Sequence, residues 1–286
     1  MVKGIKALGM DMEAIRGNGM IYEMNKEYTH NGHIKCGDKG YHYFDSIRDA
    51  MVLFNFENHR LFKCELNGDK FDHDDVIHCT NKIKLVREIS KEEIKEYIED
   101  NLEELVNDKC YDVRLNVAKF GCGLDKFIND KNWMVRLEVA RQGYGLDKLI
   151  NDTNCEVRLE VARHGYNLDH FINDDNERII DHLINIQYGL DKLARHHNYK
   201  VRQKIAKLGY HLDILVNDSH RHVREEVAKH GYGLDKLLYD PEWVVRLEVA
   251  IQGYGLDVLI HDTNLNVRYE ARKLYKLKNG FYDYLK

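Results

Sequence analysis

The chain has 286 residues, 43% of them hydrophobic and 32% charged, with a formal net charge of −5. That composition suits a folded chain and argues against disorder. Apolar runs of four or five residues are far too short for a membrane span, and the first residues lack a signal-peptide core, so a soluble, cytoplasmic protein is expected. Neither the first 90 residues nor the remainder has an excess of basic groups, which excludes a general basic field for nucleic acid but not a local basic stripe. The six cysteines (36, 64, 79, 110, 122 and 155) have no regular pairing and read as reduced thiols.

Val2–Leu8, Met20–Glu23, Tyr41–Phe44, Leu61–Leu66 and Ile83–Ile89 read as strands, with turn signals at Gly17-Asn-Gly19, Asn31-Gly32 and Asn67-Gly68. Ser46–Phe54 reads as one short helix. A small α+β domain over 1–89 follows. His30, His33 and Cys36 stand at three-residue steps, with Cys64, His73, His78 and Cys79 further on, but no Cys-x-x-Cys knuckle accompanies them and no metal is expected. A catalytic reading would take His42 as base beside Asp45 or Asp49. No activated nucleophile, phosphate-binding glycine loop or carboxylate pair supports it, so no catalytic residue is assigned and no cofactor is expected.

Ser90-Lys-Glu-Glu93 is a capping box that opens an amphipathic helix over 90–100. From there to the C-terminus one pattern dominates. Leu-Asp recurs every 22 residues from Leu124-Asp125 to Leu256-Asp257, and Val-Arg keeps the same step from Val113-Arg114 to Val267-Arg268, broken only at Ile179-Ile180. Each unit reads Asp-x-x-x-x-Val-Arg-x-x-Val-Ala-x-x-Gly-Tyr-Gly-Leu-Asp-x-Leu-Ile-Asn. Val113, Val117 and Ala118 line one face of a helix A of about eleven residues; Leu124, Phe127 and Ile128 line a helix B of about six. Asp108 and its equivalents stand where an N-cap is wanted, with Pro241 right after Asp240 at the expected first helical position. Gly121 and its equivalents stand at the left-handed C′ position.

Such helices are too short to be stable alone, and stacking lets them share a core. The pattern predicts a right-handed α-helical solenoid of eight 22-residue two-helix repeats over about 102–275, capped by the helix over 90–100 and by 276–286, within a region 90–286. An Asp followed six residues later by Arg, with Val before it, resembles the HEAT repeat signature; the 22-residue length is closer to leucine-rich variant repeats. Gly-Tyr-Gly-Leu-Asp-Lys-Leu resembles degenerate repeats of uncharacterised proteins from low-GC bacteria and their phages. In the N-terminal stretch, Gly40-Tyr-His-Tyr-Phe44 and Thr80–Ile89 resemble an uncharacterised phage and bacterial domain that usually carries Gly-Phe-His, with Tyr41 here in place of the Phe. These resemblances imply a binding scaffold.

The arginine column fails only at Ile180 and the aspartate column only at His196. If each Arg pairs with the Asp of the next repeat, the two gaps are one missing pair, whereas pairing within a repeat would strand both Asp174 and Arg202 at a half-buried interface. The expected contacts are Arg114–Asp130, Arg136–Asp152, Arg158–Asp174, Arg202–Asp218, Arg224–Asp240 and Arg246–Asp262. A bend or weak joint is expected near 176–197. Three residues past each Asp lies a variable column that includes Tyr111, Trp133, Tyr199, Arg221 and Trp243, residue types enriched at interface hot spots. The tyrosines at 144, 166, 188, 210, 232 and 254 read as packing in the turn between helices. The expected function is a protein-binding adaptor or inhibitor, which the phage-like resemblance directs at a host complex. Two alternatives stay open: nucleic-acid binding along a concave basic stripe, and an N-terminal enzyme that uses the repeats to capture substrate.

Overall fold

A computed structural model describes residues 2–15, 19–34, 39–72 and 75–279. About half of the chain is helical, and among the described residues the strands are confined to the N-terminal region. The chain divides into two compact units, Met1–Val161 and Ala162–Lys286. The division lies within the repeats.

In the first unit, β1 (Val2–Gly9), β2 (Glu27–Thr29), β3 (Tyr41–Tyr43), α1 (Ile47–Leu53), β4 (His59–Leu66), β5 (Lys70–Asp72), β6 (His78–Thr80) and β7 (Lys82–Ile89) precede α2 (Lys91–Asp100). An antiparallel sheet runs β1-β4-β7-β2, with Val2 opposite Leu66 and Leu61 opposite Ile89; a second runs β3-β6-β5. The first buries Leu8, Phe62, Cys64, Leu66, Ile83 and Leu85 with Tyr22, Tyr28 and Tyr43. Four of the five expected strands form. Met20–Glu23 does not: Ile21 makes a single bridge to Glu13, the chain turns at Asn25 (φ 61°), and the strand of this region is β2. Of the expected turns, Gly17 and Asn18 lie outside the described residues.

Ser46 caps α1 by accepting the Asp49 N–H (3.1 Å), and Phe54 closes the helix, matching the expected bounds to a residue. Ser90 and Glu93 form the reciprocal capping box of α2. Then come α3 (Leu102–Leu105), α4 (Tyr111–Lys119) with α5 (Leu124–Phe127), α6 (Trp133–Arg141) with α7 (Leu146–Leu149), and α8 (Cys155–Arg163), within which the units divide. A 3₁₀ helix (Leu168–Asn173) follows. The second unit continues with α9 (Glu177–Asn185), α10 (Leu190–Leu193), α11 (Tyr199–Lys207), α12 (Leu212–Leu215), α13 (Arg221–Lys229), α14 (Leu234–Leu237), α15 (Trp243–Ile251), α16 (Leu256–Leu259) and α17 (Leu265–Asn279). Long helices thus have nine residues and short ones four, fewer than expected. α17 carries the last repeat into the expected cap as one continuous helix, and residues 280–286 lie outside the described residues.

Neighbouring long helices pack side by side: α1 on α4 and α4 on α6 in the first unit, α11, α13, α15 and α17 in succession in the second. Their shared core is the Val, Val, Ala stripe, fully buried at Val223, Val227 and Ala228 and again at Val245, Val249 and Ala250. Each such valine contributes roughly 1.5–3 kcal/mol of burial.

Between these helices runs a ladder of ion pairs. Arg114 reaches Asp130, Arg136 reaches Asp152, Arg202 reaches Asp218, Arg224 reaches Asp240 and Arg246 reaches Asp262, always through Nε to Oδ2 at 2.5–2.6 Å and Nη2 to Oδ1 at 2.8–2.9 Å. The third nitrogen, Nη1, donates to the main-chain carbonyl six residues back, as from Arg224 to Asp218 (2.7 Å). Arg158 and Asp174 fall one in each unit. At the C-terminal end, among the described residues, Arg268 bonds only to the carbonyls of Asp262 and Thr263.

The ladder explains why the aspartates are not the helix caps. Asp130 Oδ1 accepts the N–H of Asn132 (2.8 Å), and Asn132, whose own side chain accepts from Met134, is the cap of α6. The carboxylate closes a turn two residues earlier because the preceding repeat's guanidinium holds it there. Pro241 accordingly precedes the cap residue Glu242, and α15 begins at Trp243.

The two positive-φ positions of each turn, both glycine in most repeats, do different work. Gly231 (φ 70°) closes α13 with open space around an added Cβ, while at Gly233 (φ 62°) a Cβ would lie 2.5 Å from Val216 Cγ2. Gly231→Ala is expected to cost roughly 1 kcal/mol from the left-handed backbone alone, and Gly233→Ala about 2–4 kcal/mol from strain and overpacking together. Equal losses in denaturant unfolding would contradict this difference. Likewise Arg224→Ile, which strands the buried Asp240, is expected to cost about 3–5 kcal/mol, most of it recovered by adding Asp240→Asn. A double-mutant cycle with no coupling would refute the pairing.

Candidate partner-binding surface

The five residues singled out for a partner share one structural position, the first residue of a long helix: Tyr111 of α4, Trp133 of α6, Tyr199 of α11, Arg221 of α13 and Trp243 of α15. The preceding residue caps with extended backbone, as at Asn132 (φ −95°, ψ 123°), so the helix axis and first side chain are fixed together. Trp133 and Trp243 keep 37% and 36% of their surface open, and among the described residues neither stacks on another ring. In the second unit the column is linked along adjacent helices. The Tyr199 ring stacks on His220 (3.6 Å between centroids, 15° between planes), and Arg221 reaches Glu242 (3.5 Å), the residue before Trp243. In the first unit Tyr111 and Trp133 occupy neighbouring helices α4 and α6.

The ladder arginines stay out of this surface. Arg114 keeps 4% of its side chain exposed and Arg224 11%, and the hydrogen bonds to their aspartates raise the pKa of both. Asp262 is held below the ordinary carboxylate range, first by the hydrogen bond from Arg246. Four of the six turn tyrosines, Tyr144, Tyr166, Tyr232 and Tyr254, expose 40–43% of their surface, more than the tryptophans, while Tyr188 and Tyr210 are half-buried. Their backbone is what the turn uses, as in Tyr232 N–H to Val227 O (3.4 Å) beside Gly231 N–H to Ala228 O (2.8 Å).

Residues 2–97 match the family model described as Domain of unknown function (DUF7666). The match spans both sheets, α1 and most of α2, and ends before the repeats. No curated protein matches the chain.

Inside the matched region several of the described residues weighed for catalysis or metal are held by neighbours. Asp49 is engaged by Ser46 Oγ (2.6 Å) and Arg48 (3.3 Å), Asp45 lies 3.5 Å from His78, and the main-chain carbonyl of His42 accepts from Lys6. Cys64 and Cys79 are buried, burial pushing the Cys64 thiol up to about 12. Cys36 and His73 lie outside the described residues. Among the described residues no group of three His, Cys, Asp or Glu could hold a metal ion, and no helix is long and apolar enough to cross a membrane.

Two features escape a reading by motif. Arg48, on α1, grips Asp108 through Nε (2.8 Å) and Nη2 (3.1 Å), the geometry of a ladder rung. Asn116 of α4 donates to the carbonyls of Met51 (3.0 Å) and Phe54 (3.1 Å), fixing the end of α1. The N-terminal region therefore supplies the helix against which the first repeat packs. The second feature is Lys6, 7% exposed, its Nζ donating to the His42 carbonyl (2.8 Å) and lying 5.2 Å from the Tyr22 ring centre. The alternation of β1 carries the signal, since Gly4, Lys6 and Leu8 share one strand face.

Burial lowers the Lys6 pKa to about 8, against smaller opposing effects of Cys64 and Cys79. Below pH 8 the lysine is charged in both folded and unfolded chains, and burying it weakens the fold by up to about 3 kcal/mol. From pH 8 to 10 the folded protein releases a proton that the unfolded chain still holds, so stability rises. Lys6→Met is expected to raise the denaturation midpoint at pH 7 and flatten that rise, followed by circular dichroism. A lower midpoint with an unchanged pH slope would contradict this reading.

Proposed function

We propose that the repeats stack as one right-handed, HEAT-like α-solenoid, and that the edge formed by the first residues of its long helices docks a protein partner. The observation that carries this reading is the linked strip Tyr199–His220, Arg221–Glu242, Trp243 on three successive helices of a regular scaffold. Aromatic and arginine side chains presented at a fixed spacing on rigid elements suit a hot-spot surface, in which a few residues carry most of the affinity. The internal ladder supports it too: Arg114, Arg136, Arg202, Arg224 and Arg246, members of the column that favoured a phosphate-tracking groove, are each engaged by an aspartate. Adaptor and inhibitor are both compatible with such docking, and the matched N-terminal region serves as its starting cap through Arg48 and Asn116.

The test is a photo-crosslinking residue at position 243 of the full chain, compared with the same residue at exposed Leu277. The expected result is one discrete protein crosslinked from 243 only. Trp243→Ser with Arg221→Ala is expected to weaken that complex by about 30-fold or more, as loss of hot-spot contacts on the order of 2 kcal/mol would, with helicity unchanged. Equal crosslinking from both positions, or nucleic acid recovered in place of protein, overturns the reading.

A further inference from the structure

The one rung of the ladder that lacks both charged partners leaves a cavity. Ile180 (2% exposed) stands where the other repeats have Arg, and His196 (4% exposed) where they have Asp. His196 keeps one half of the aspartate's work: its Nδ1 accepts the N–H of Asn198 (3.0 Å), as Asp218 Oδ1 accepts the N–H of His220 (2.8 Å). That bond fixes the tautomer, since a neutral ring with Nδ1 as acceptor carries its proton on Nε2. Burial, then the neighbouring His197 at 4.1 Å between ring centroids, lowers the His196 pKa and keeps the ring neutral. Nε2 is thus a hydrogen-bond donor, and it is buried without a partner.

His196 lines a cavity of about 190 Å³ with the apolar Ile180 and Val201 and the charged Asp174, Asp175, Glu177, Lys200 and Lys204; Asp174 is already engaged, its Oδ1 accepting the N–H of Asn176 (2.8 Å). Glu177 is taken by Lys204 (2.5 Å), which also binds Asp181 (2.7 Å). Neither Asp175 nor Lys200 forms a salt bridge among the described residues. The site therefore offers a buried neutral donor, one available ammonium and one available carboxylate. An isolated anion would meet the carboxylates, and an isolated cation would leave Nε2 unsatisfied, a penalty of roughly 1–3 kcal/mol. A small molecule with both charges answers each group. The volume is below that of drug-sized pockets yet well above that of one water.

We infer that the vacant rung is a binding site for a small zwitterionic α-amino acid, its carboxylate accepting from His196 Nε2–H and Lys200 and its ammonium donating to Asp175. The site borders the docking edge at Glu177, the first residue of α9, but its ligand chemistry does not depend on that docking and is tested separately from it.

The test is calorimetric titration of the full chain with glycine and with L-alanine, against acetate and ethylamine at the same concentration. Either amino acid is expected to bind at least about tenfold more tightly than acetate or ethylamine. Ile180→Arg with His196→Asp rebuilds the rung and fills the cavity, and is expected to abolish binding while leaving helicity intact. Lys200→Met, at the exposed rim, is expected to weaken binding by about tenfold, which keeps the test decisive should the rebuilt rung misfold. No heat from either amino acid, acetate binding as tightly as alanine, or full binding by the rebuilt variant would overturn the assignment.

Discussion

A buried guanidinium gripping the carboxylate sixteen residues further on is the contact on which the repeats depend. Each of the five paired arginines bonds forward to the next repeat's aspartate and backward to its own repeat's main chain, and each of their aspartates also closes the turn before the next long helix. One side-chain pair thus sets helix spacing, turn geometry and register together. The desolvation that this burial demands is offset only because every nitrogen of the fork has an acceptor. Helices of nine and four residues would not persist alone in water, and the apolar stripe that stabilises them exists only once a neighbour is in place.

The same device ties the N-terminal region to the repeats. Arg48 plays the part of a ladder arginine from a helix that belongs to no repeat, and Asn116, at a position where five of the other long helices have Glu, secures the end of that helix. The first repeat is therefore covered by a differently built surface and not left as an open apolar face. This explains why the first compact unit holds both sheets together with the first helix pairs.

The repeat was legible because it is written many times: a 22-residue interval outlives any single substitution, and two coincident gaps revealed which Arg faces which Asp. What stayed hidden lies outside repetition. Arg48 stands 60 residues from Asp108 and has no counterpart by which to be recognised. Strands β2, β5 and β6 have three residues each, too few to display alternation. The caps were misplaced by two positions because Asp is equally suited to capping and to receiving a guanidinium, and only the fold decides between them. The open edge was inferred as a variable column; its linkage through His220 and Glu242, residues of the following repeat, needed coordinates.

The interval between paired residues has a bearing on how such a chain can change its length. Sixteen residues separate the members of a rung and 22 separate one rung from the next, so a short insertion in the intervening turn misaligns a fork with its carboxylate, while gain or loss of a whole unit leaves every surviving fork in register. Growth is accordingly quantised. A lineage can lengthen or shorten this array in complete modules and alter the face offered to other molecules, without having to reinvent what joins one module to the next.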